Sequence, residues 1–135
     1  MLDYSATGLS LTAHPVSFIR SHLNERRVSP CGDLADAAKT PDGERVRVAG
    51  LVLVRQRPGT AKEVTFMTLE DESGIANLIV WARVYQRYRT HAKAQMLIAY
   101  GRVQRASGVV HVVVDRLERL SGQLAGLQVA SRDFH

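Results

Sequence analysis

The sequence contains a single cysteine, Cys31, so it cannot form an intramolecular disulfide. No apolar run approaches the roughly 18 residues that a membrane-spanning helix needs. The first residues, Met1-Leu2-Asp3-Tyr4, lack the basic and apolar pattern of a secretory signal. The five histidines stand at no spacing to Cys, His, Asp or Glu that is typical of a metal site. We therefore expect a cytoplasmic protein with no membrane contact, no catalytic site, no metal ion and no cofactor.

Charge is unevenly distributed along the 135 residues. The formal net charge is +5, from 18 basic and 13 acidic residues. The stretches 45–62 and 83–105 contain several basic residues and no acid. Such segregation also occurs on ordinary solvated surfaces, but it suits the neutralisation of phosphates in a nucleic acid better.

The hydrophobic pattern divides the chain into three parts. Residues 1–43 predict a helical linker segment, with one short amphipathic helix after Pro15 and a second helix over 34–39 capped by Asp33. Residues 121–135 predict a small polar tail. Between them, strand-like and helical periods alternate over 44–120. The predicted strands are 45–55, 63–69, 75–81, 95–105 and 109–117, and the predicted helix is 82–93.

The order β-β-β-α-β-β is typical of a mainly β OB-fold, a five-stranded Greek-key barrel, here preceded by a short helical segment. Gly50, inside the long first strand, predicts a bend or bulge that would help to close a small barrel. The alternative is an open sheet with a helix on one side.

The alternation of side chains in the second and third strands indicates a candidate binding surface. If the barrel is filled by Met67, Leu69, Leu78 and Val80, then Phe66 and Asn77 point outward, close to each other. An exposed aromatic ring can stack on an unpaired base, and an amide can bond to a base edge. The alternative is that Phe66 belongs to the core, beneath the N-terminal helix.

Several arginines and one lysine are candidates to neutralise phosphate around this surface. We expect Arg55, Arg57 and Lys62 to line one side, and Arg105, in a loop between the fourth and fifth strands, to close the other. Arg47 and Arg102 complete the candidate set.

The remaining aromatic and reactive residues are interpreted as structural. Trp81 and Tyr85 are expected to seal the base of the barrel, and Tyr88 to pack beside them. Cys31 has no activating partner in the sequence and is interpreted as an unreactive thiol. The acids Glu70-Asp71-Glu72 are expected to be solvated at a hairpin turn rather than to bind a metal.

Several stretches resemble the C-terminal region of bacterial error-prone DNA polymerases, which are C-family enzymes related to the polymerase III alpha subunit. These stretches are Gly8-Leu9-Ser10-Leu11 with His14-Pro15-Val16, residues 46–59, residues 66–81, Gly101-Arg102-Val103-Gln104-Arg105 and Ser131-Arg132-Asp133-Phe134. The resemblance implies a module that binds single-stranded DNA and guides template during damage-tolerant (translesion) synthesis and repair. It also implies accessory polymerase subunits or the sliding clamp as partners. The family's palm carboxylates and PHP domain have no counterpart in the sequence, so no catalytic residue is carried over from this nucleotidyltransferase family.

The pattern Phe66…Leu69-Glu70-Asp71…Gly74…Asn77 is also similar to the anticodon-binding OB domain of aspartyl-tRNA synthetases. That resemblance implies that Phe66 stacks on a base and that Asn77 contacts one. A second hypothesis, from a different class, is a protein-interaction module that docks an accessory polymerase subunit. Its anchors would be Trp81, Tyr85 and Tyr88, if they are exposed.

Overall fold

A computed structural model describes residues 14–57 and 64–120 of the chain. Their elements follow the predicted order. They are a 3₁₀ helix Pro15–Ile19, helix α1 Arg20–Glu25, a second 3₁₀ helix Cys31–Ala35, strands β1 Arg45–Gln56, β2 Val64–Asp71 and β3 Gly74–Trp81, helices α2 Ala82–Arg87 and α3 Arg89–Ala92, and strands β4 Met96–Ala106 and β5 Val109–Arg119.

The five strands form a closed barrel in the order β1-β2-β3-β5-β4. All neighbours are antiparallel except β3 and β5, whose parallel pairing joins Leu78 to Val112 and closes the cylinder. The predicted OB-fold barrel is therefore confirmed, and the open-sheet alternative is wrong.

Strand β1 belongs to both halves of the barrel because it bends. Its first half pairs with β4, and its second half pairs with β2. The register shift lies at Leu53, between Val52 and Val54, rather than at Gly50. Gly50 is needed for a different reason: a Cβ there would lie 2.5 Å from the carbonyl oxygen of Glu70, so the two backbones could not approach as they do.

The interior of the barrel is filled by alternate residues of the five strands. The fully buried side chains include the four predicted from alternation, Met67, Leu69, Leu78 and Val80. Cys31 is also buried, and burial raises the pKa of its thiol, with the carboxylate of Asp71 acting in the same direction. The interpretation of Cys31 as an unreactive thiol agrees with this environment.

Residues 14–43 pack against the outside of the barrel through a second apolar cluster. Val16, Ile19, Leu23 and Val28 lie against Ala49, Met96, Ile98 and Leu120. The second predicted helix, over 34–39, is wrong. The turn begins after Pro30, whose fixed φ precedes a 3₁₀ helix, and it ends at Asp36, whose backbone is extended.

The predicted helix over 82–93 is divided into α2 and α3 at Tyr88, where the backbone leaves the helical region. Across residues 14–57 and 64–120, every helix is too short and too polar to cross a bilayer.

Candidate nucleic-acid interface

The outer face of the β2–β3 hairpin presents a partly exposed aromatic ring. Thr65 and Met67 point into the barrel, so Phe66 points outward, and 37% of its surface is exposed. It pairs with Ile79 on one side and with Gln56 on the other. The alternative that placed Phe66 in the core is therefore wrong.

Asn77 lies on the same face, diagonal to Phe66. It pairs with Thr68, whose hydroxyl donates a 3.2 Å hydrogen bond to its side-chain oxygen. The pairing of Phe66 with Ile79 puts Asn77 two residues along β3, a separation of about 7–8 Å across the pleat. The amide nitrogen is the part of Asn77 that can donate to a ligand.

Trp81 extends this face, contrary to the prediction that it seals the barrel. It pairs with Val64, two residues from Ile79, and 49% of its surface is exposed. The alternation that placed Asn77 outside places Trp81 outside too, so the sequence carried this signal. Tyr85 and Tyr88 do pack against the barrel core, as predicted. We call Phe66, Asn77, Ile79 and Trp81 the hairpin face.

A basic cleft lies where β1 ends and β2 begins, beside helices α2 and α3. Because it is lined by Thr65, whose side chain points into the barrel, the cleft lies on the other side of strand β2 from Phe66. Its volume is about 450 Å³, and no carboxylate is among its lining residues, which are Arg55, Arg57, Thr65, Tyr85, Gln86, Arg89 and Lys93. Arg57 lies over the ring of Tyr85, 5.0 Å from its centre, and Arg55 donates to the carbonyl oxygens of Ala92 and Ala94. These contacts hold the guanidiniums of Arg55 and Arg57 in place at this end of the barrel. The sequence did not single out Arg89 and Lys93, because nothing local places α3 beside the end of β1.

Arg105 is placed differently from its prediction. It lies within β4, not in the loop after it, and its guanidinium donates to the carbonyl oxygens of Leu34 and Thr40 and to the hydroxyl of Thr40, at 2.7–2.8 Å. Its backbone N–H donates to Asp42. These bonds attach the segment before β1 to the barrel, so this guanidinium serves the fold.

Arg47 and Arg102 are far from the hairpin face in the strand order. Both project from the β1–β4 side of the barrel, where Arg47 pairs with Tyr100 and Arg102 with Arg45. Lys62 lies outside the described residues. The structure thus puts Phe66 and Asn77 on one face, places Arg55 and Arg57 in the basic cleft, and separates Arg47, Arg102 and Arg105 from both.

The turn of the hairpin is held by the N-terminal segment. The acids there are not uniformly solvated, because the carboxylate of Asp71 is buried and pairs with Arg20 at 2.9 Å. Glu72 also pairs with Arg20, at 2.8 Å, and Glu70 contacts His14 at 3.1 Å. These contacts attach the turn of the β2–β3 hairpin to the N-terminal segment.

The chain resembles known proteins in both family and fold. Residues 46–120 match the family described as "OB-fold nucleic acid binding domain", and the chain belongs to that family. Crystal structures of asparaginyl-tRNA synthetase from Pyrococcus horikoshii share the fold. One of them, complexed with asparaginyl-adenylate, has a TM-score of 0.54 and 27% sequence identity, over 70% of this chain and 22% of the synthetase.

Curated relatives have a higher sequence identity to the chain than these synthetases. The chain is 51% identical to an error-prone DNA polymerase of Rhodopirellula baltica over 98% of its own length and 11% of the polymerase. It is 50% identical to error-prone DNA polymerase 1 of Rhizobium meliloti, and 52% identical to an error-prone DNA polymerase of Caulobacter vibrioides. It again covers 98% of its own length, against 12% and 14% of those proteins. The chain therefore spans about an eighth of the length of these relatives.

Proposed function

We propose that the chain is the single-stranded DNA-binding OB-fold module of an error-prone DNA polymerase, and that it guides template DNA during translesion synthesis. In this proposal, nucleotidyl transfer belongs to the rest of the polymerase. The module works where bacterial DNA is, in the cytoplasm.

The observation that carries the proposal is the exposed ring of Phe66 beside Asn77 and Trp81. An unpaired base can stack on the ring of Phe66 or of Trp81, and such stacking contributes about 1–3 kcal/mol per base. In this proposal the bound strand continues past the end of β1 to the basic cleft, whose arginines and lysine neutralise its phosphates. Stacking platforms beside an electropositive groove are typical of proteins that bind single strands.

The direct test is replacement of Phe66 by alanine in the full chain. We expect affinity for a labelled oligothymidylate, measured by fluorescence anisotropy, to fall by about 1–3 kcal/mol, because one stacking surface is lost. Phe66→Tyr keeps a ring and should restore most of the affinity. Phe18→Ala is the matched control, because Phe18 is also an exposed phenylalanine, 64% accessible, on the first 3₁₀ helix. Equal affinity of Phe66→Ala and the parent chain would remove the stacking role.

A second candidate function is the docking of an accessory polymerase subunit or clamp. Exposed apolar side chains favour it, since Leu53, Val54, Ile75 and Trp81 are each about half exposed. Of the three aromatic anchors expected for that role, only Trp81 is exposed. Competition separates the two functions, because oligothymidylate should displace a ligand from a DNA site and leave a protein partner bound.

A further inference from the structure

A second basic surface lies on the side of the barrel away from the hairpin face. Strand pairing places Arg47, Tyr100 and Arg116 side by side across β1, β4 and β5, and places Arg45 beside Arg102 in the next row. Buried residues such as Val48, Ala99 and Leu117 stand next to them in the sequence, so these side chains point outward. We call Arg45, Arg47, Arg102 and Arg116 the arginine face, and all four are exposed.

This face is opposite the hairpin face because of the closed strand order. Strand β4 neighbours only β1 and β5, and the β2–β3 hairpin also lies between β1 and β5. The two faces therefore look in different directions, and a ligand on one leaves the other accessible.

Two guanidiniums of the arginine face are held by one tyrosine ring. Arg47 lies 5.4 Å from the centre of the Tyr100 ring, and Arg116 lies 4.8 Å from it. The Tyr100 hydroxyl donates to Glu118 at 2.7 Å, and Arg26 donates to the same carboxylate at 2.6 Å. The ring is thus fixed in place with a cation from each neighbouring strand against it, which positions the charges and occupies ring surface on which a base would otherwise stack.

Positive charge remains after the local ion pairs are formed. Arg45 pairs with Asp115 at 2.9 Å. Within residues 14–57 and 64–120, Arg47, Arg102 and Arg116 take part in no ion pair. Arg27 adds a further cation, because it lines a cleft of about 490 Å³ together with Arg45 and Arg47; Glu44 also lines this cleft, so three cations face one carboxylate.

We propose that the arginine face binds the sugar–phosphate backbone of double-stranded DNA. A duplex stacks its bases internally and presents about one phosphate charge per 1.7 Å of its axis, so it suits a surface of fixed cations without a stacking ring. With an unpaired strand on the hairpin face and a duplex on the arginine face, the module contacts both sides of a single-strand–duplex junction. The duplex site does not depend on the single-strand site.

The test uses the full chain with a blunt duplex and an oligothymidylate, each measured by fluorescence anisotropy as salt is varied. For the double variant Arg47→Ala/Arg116→Ala we expect duplex affinity to fall about tenfold or more, and the salt slope to fall by about 1.8, which corresponds to two lost phosphate contacts. Oligothymidylate affinity should stay within about twofold. Phe66→Ala should give the reverse pattern.

Two controls keep the result specific. The charge-conserving variant Arg47→Lys/Arg116→Lys should retain most of the duplex affinity, and thermal melting of each variant checks that the barrel is folded. Unchanged duplex affinity in the alanine double variant overturns the proposal, and so does mutual displacement of duplex and oligothymidylate. Binding of polyglutamate but not duplex by the parent chain also overturns it, in favour of an acidic protein partner.

Discussion

At the scale of single residues, the carboxylate of Asp71 accepts hydrogen bonds through both of its oxygens. Its Oδ1 accepts hydrogen bonds from Ser73 and from the Gly74 N–H, and its Oδ2 accepts from Arg20 and the Cys31 N–H. Burial pushes the pKa of Asp71 upward, but the hydrogen bonds from Cys31 and Ser73 outweigh burial, so the pKa lies below its usual value. The carboxylate is therefore stable as an anion inside the fold.

Replacement of Asp71 by asparagine should lower the free energy of unfolding by about 3–5 kcal/mol, because Arg20 then loses the buried partner of its ion pair. Urea denaturation followed by circular dichroism measures the change. Glu72→Gln is the control, because Glu72 is exposed and its loss should cost less than about 1 kcal/mol. Equal effects of the two substitutions would contradict this account of Asp71.

Prediction from sequence succeeds for single residues where alternation in a strand decides, and fails where distant segments meet. Phe66 and Asn77 could be placed outside because each lies between residues that must fill a barrel. The same rule applies to Trp81, but large aromatic rings are usually interpreted as core, and that interpretation was wrong. The role of Arg105 depends on the carbonyl oxygens of Leu34 and Thr40, some 65–71 positions earlier, and no local pattern reveals such a contact.

At the scale of elements, the segment before the barrel is bound to it by burial. Leu23 is fully buried among Val16, Val28 and the outer side of β1 and β4. Leu23→Ala should lower the free energy of unfolding by about 2–5 kcal/mol, through lost burial and a cavity. The measurement is again a urea titration, with Phe18→Ala expected to stay within about 0.5 kcal/mol of the parent chain because Phe18 is exposed. A loss below about 1 kcal/mol for Leu23→Ala would mean that this segment docks only weakly.

The strand order could be predicted because the strands alternate clearly and the two hairpin turns contain Gly74 and Gly108. The bulge at Leu53 could not be predicted, because it is a shift in the pairing of β1 with β2, and a single strand's pattern does not reveal its register with a partner. The second 3₁₀ helix was also mispredicted, since Asp33 suits a helix cap but Pro30 starts the turn three residues earlier.

At the scale of the whole molecule, acid should destabilise the fold. The ion pair with Arg20 lowers the pKa of Glu72, and the hydrogen bond from Arg26 lowers that of Glu118, as the hydrogen bonds above lower that of Asp71. A carboxyl whose folded pKa is depressed contributes stability above its unfolded pKa, and that stability is lost as pH falls through the folded value.

The free energy of unfolding should therefore be steady near neutral pH and fall as the pH drops below about 4, the range of unfolded Asp and Glu. Urea titrations at a series of pH values give the profile. The variant Arg20→Ala should show a shallower fall, since two of the three carboxyls lose the guanidinium that favours their charged form. A profile with the same slope in both proteins would assign the acid sensitivity to other groups.

Because the barrel is closed, the basic residues of the chain lie on two separate surfaces. The sequence has two acid-free stretches, and each contributes to both basic surfaces: Arg47 and Arg102 lie on the arginine face, and Arg55 and Lys93 line the basic cleft. Linear charge pattern alone could not separate them, because the separation depends on which way each strand faces.

The parallel pairing of β3 with β5 limits how a peptide partner can bind to this barrel. Because it completes the cylinder, each of the five described strands has a hydrogen-bonded neighbour on both sides over part of its length, and none offers a whole unpaired edge to a visiting peptide. As a result, a partner cannot add a strand along a full edge of this barrel. Specificity must therefore reside in side chains, so exchanging a few outward-facing residues can redirect what the module holds while its hydrogen-bonded frame stays the same.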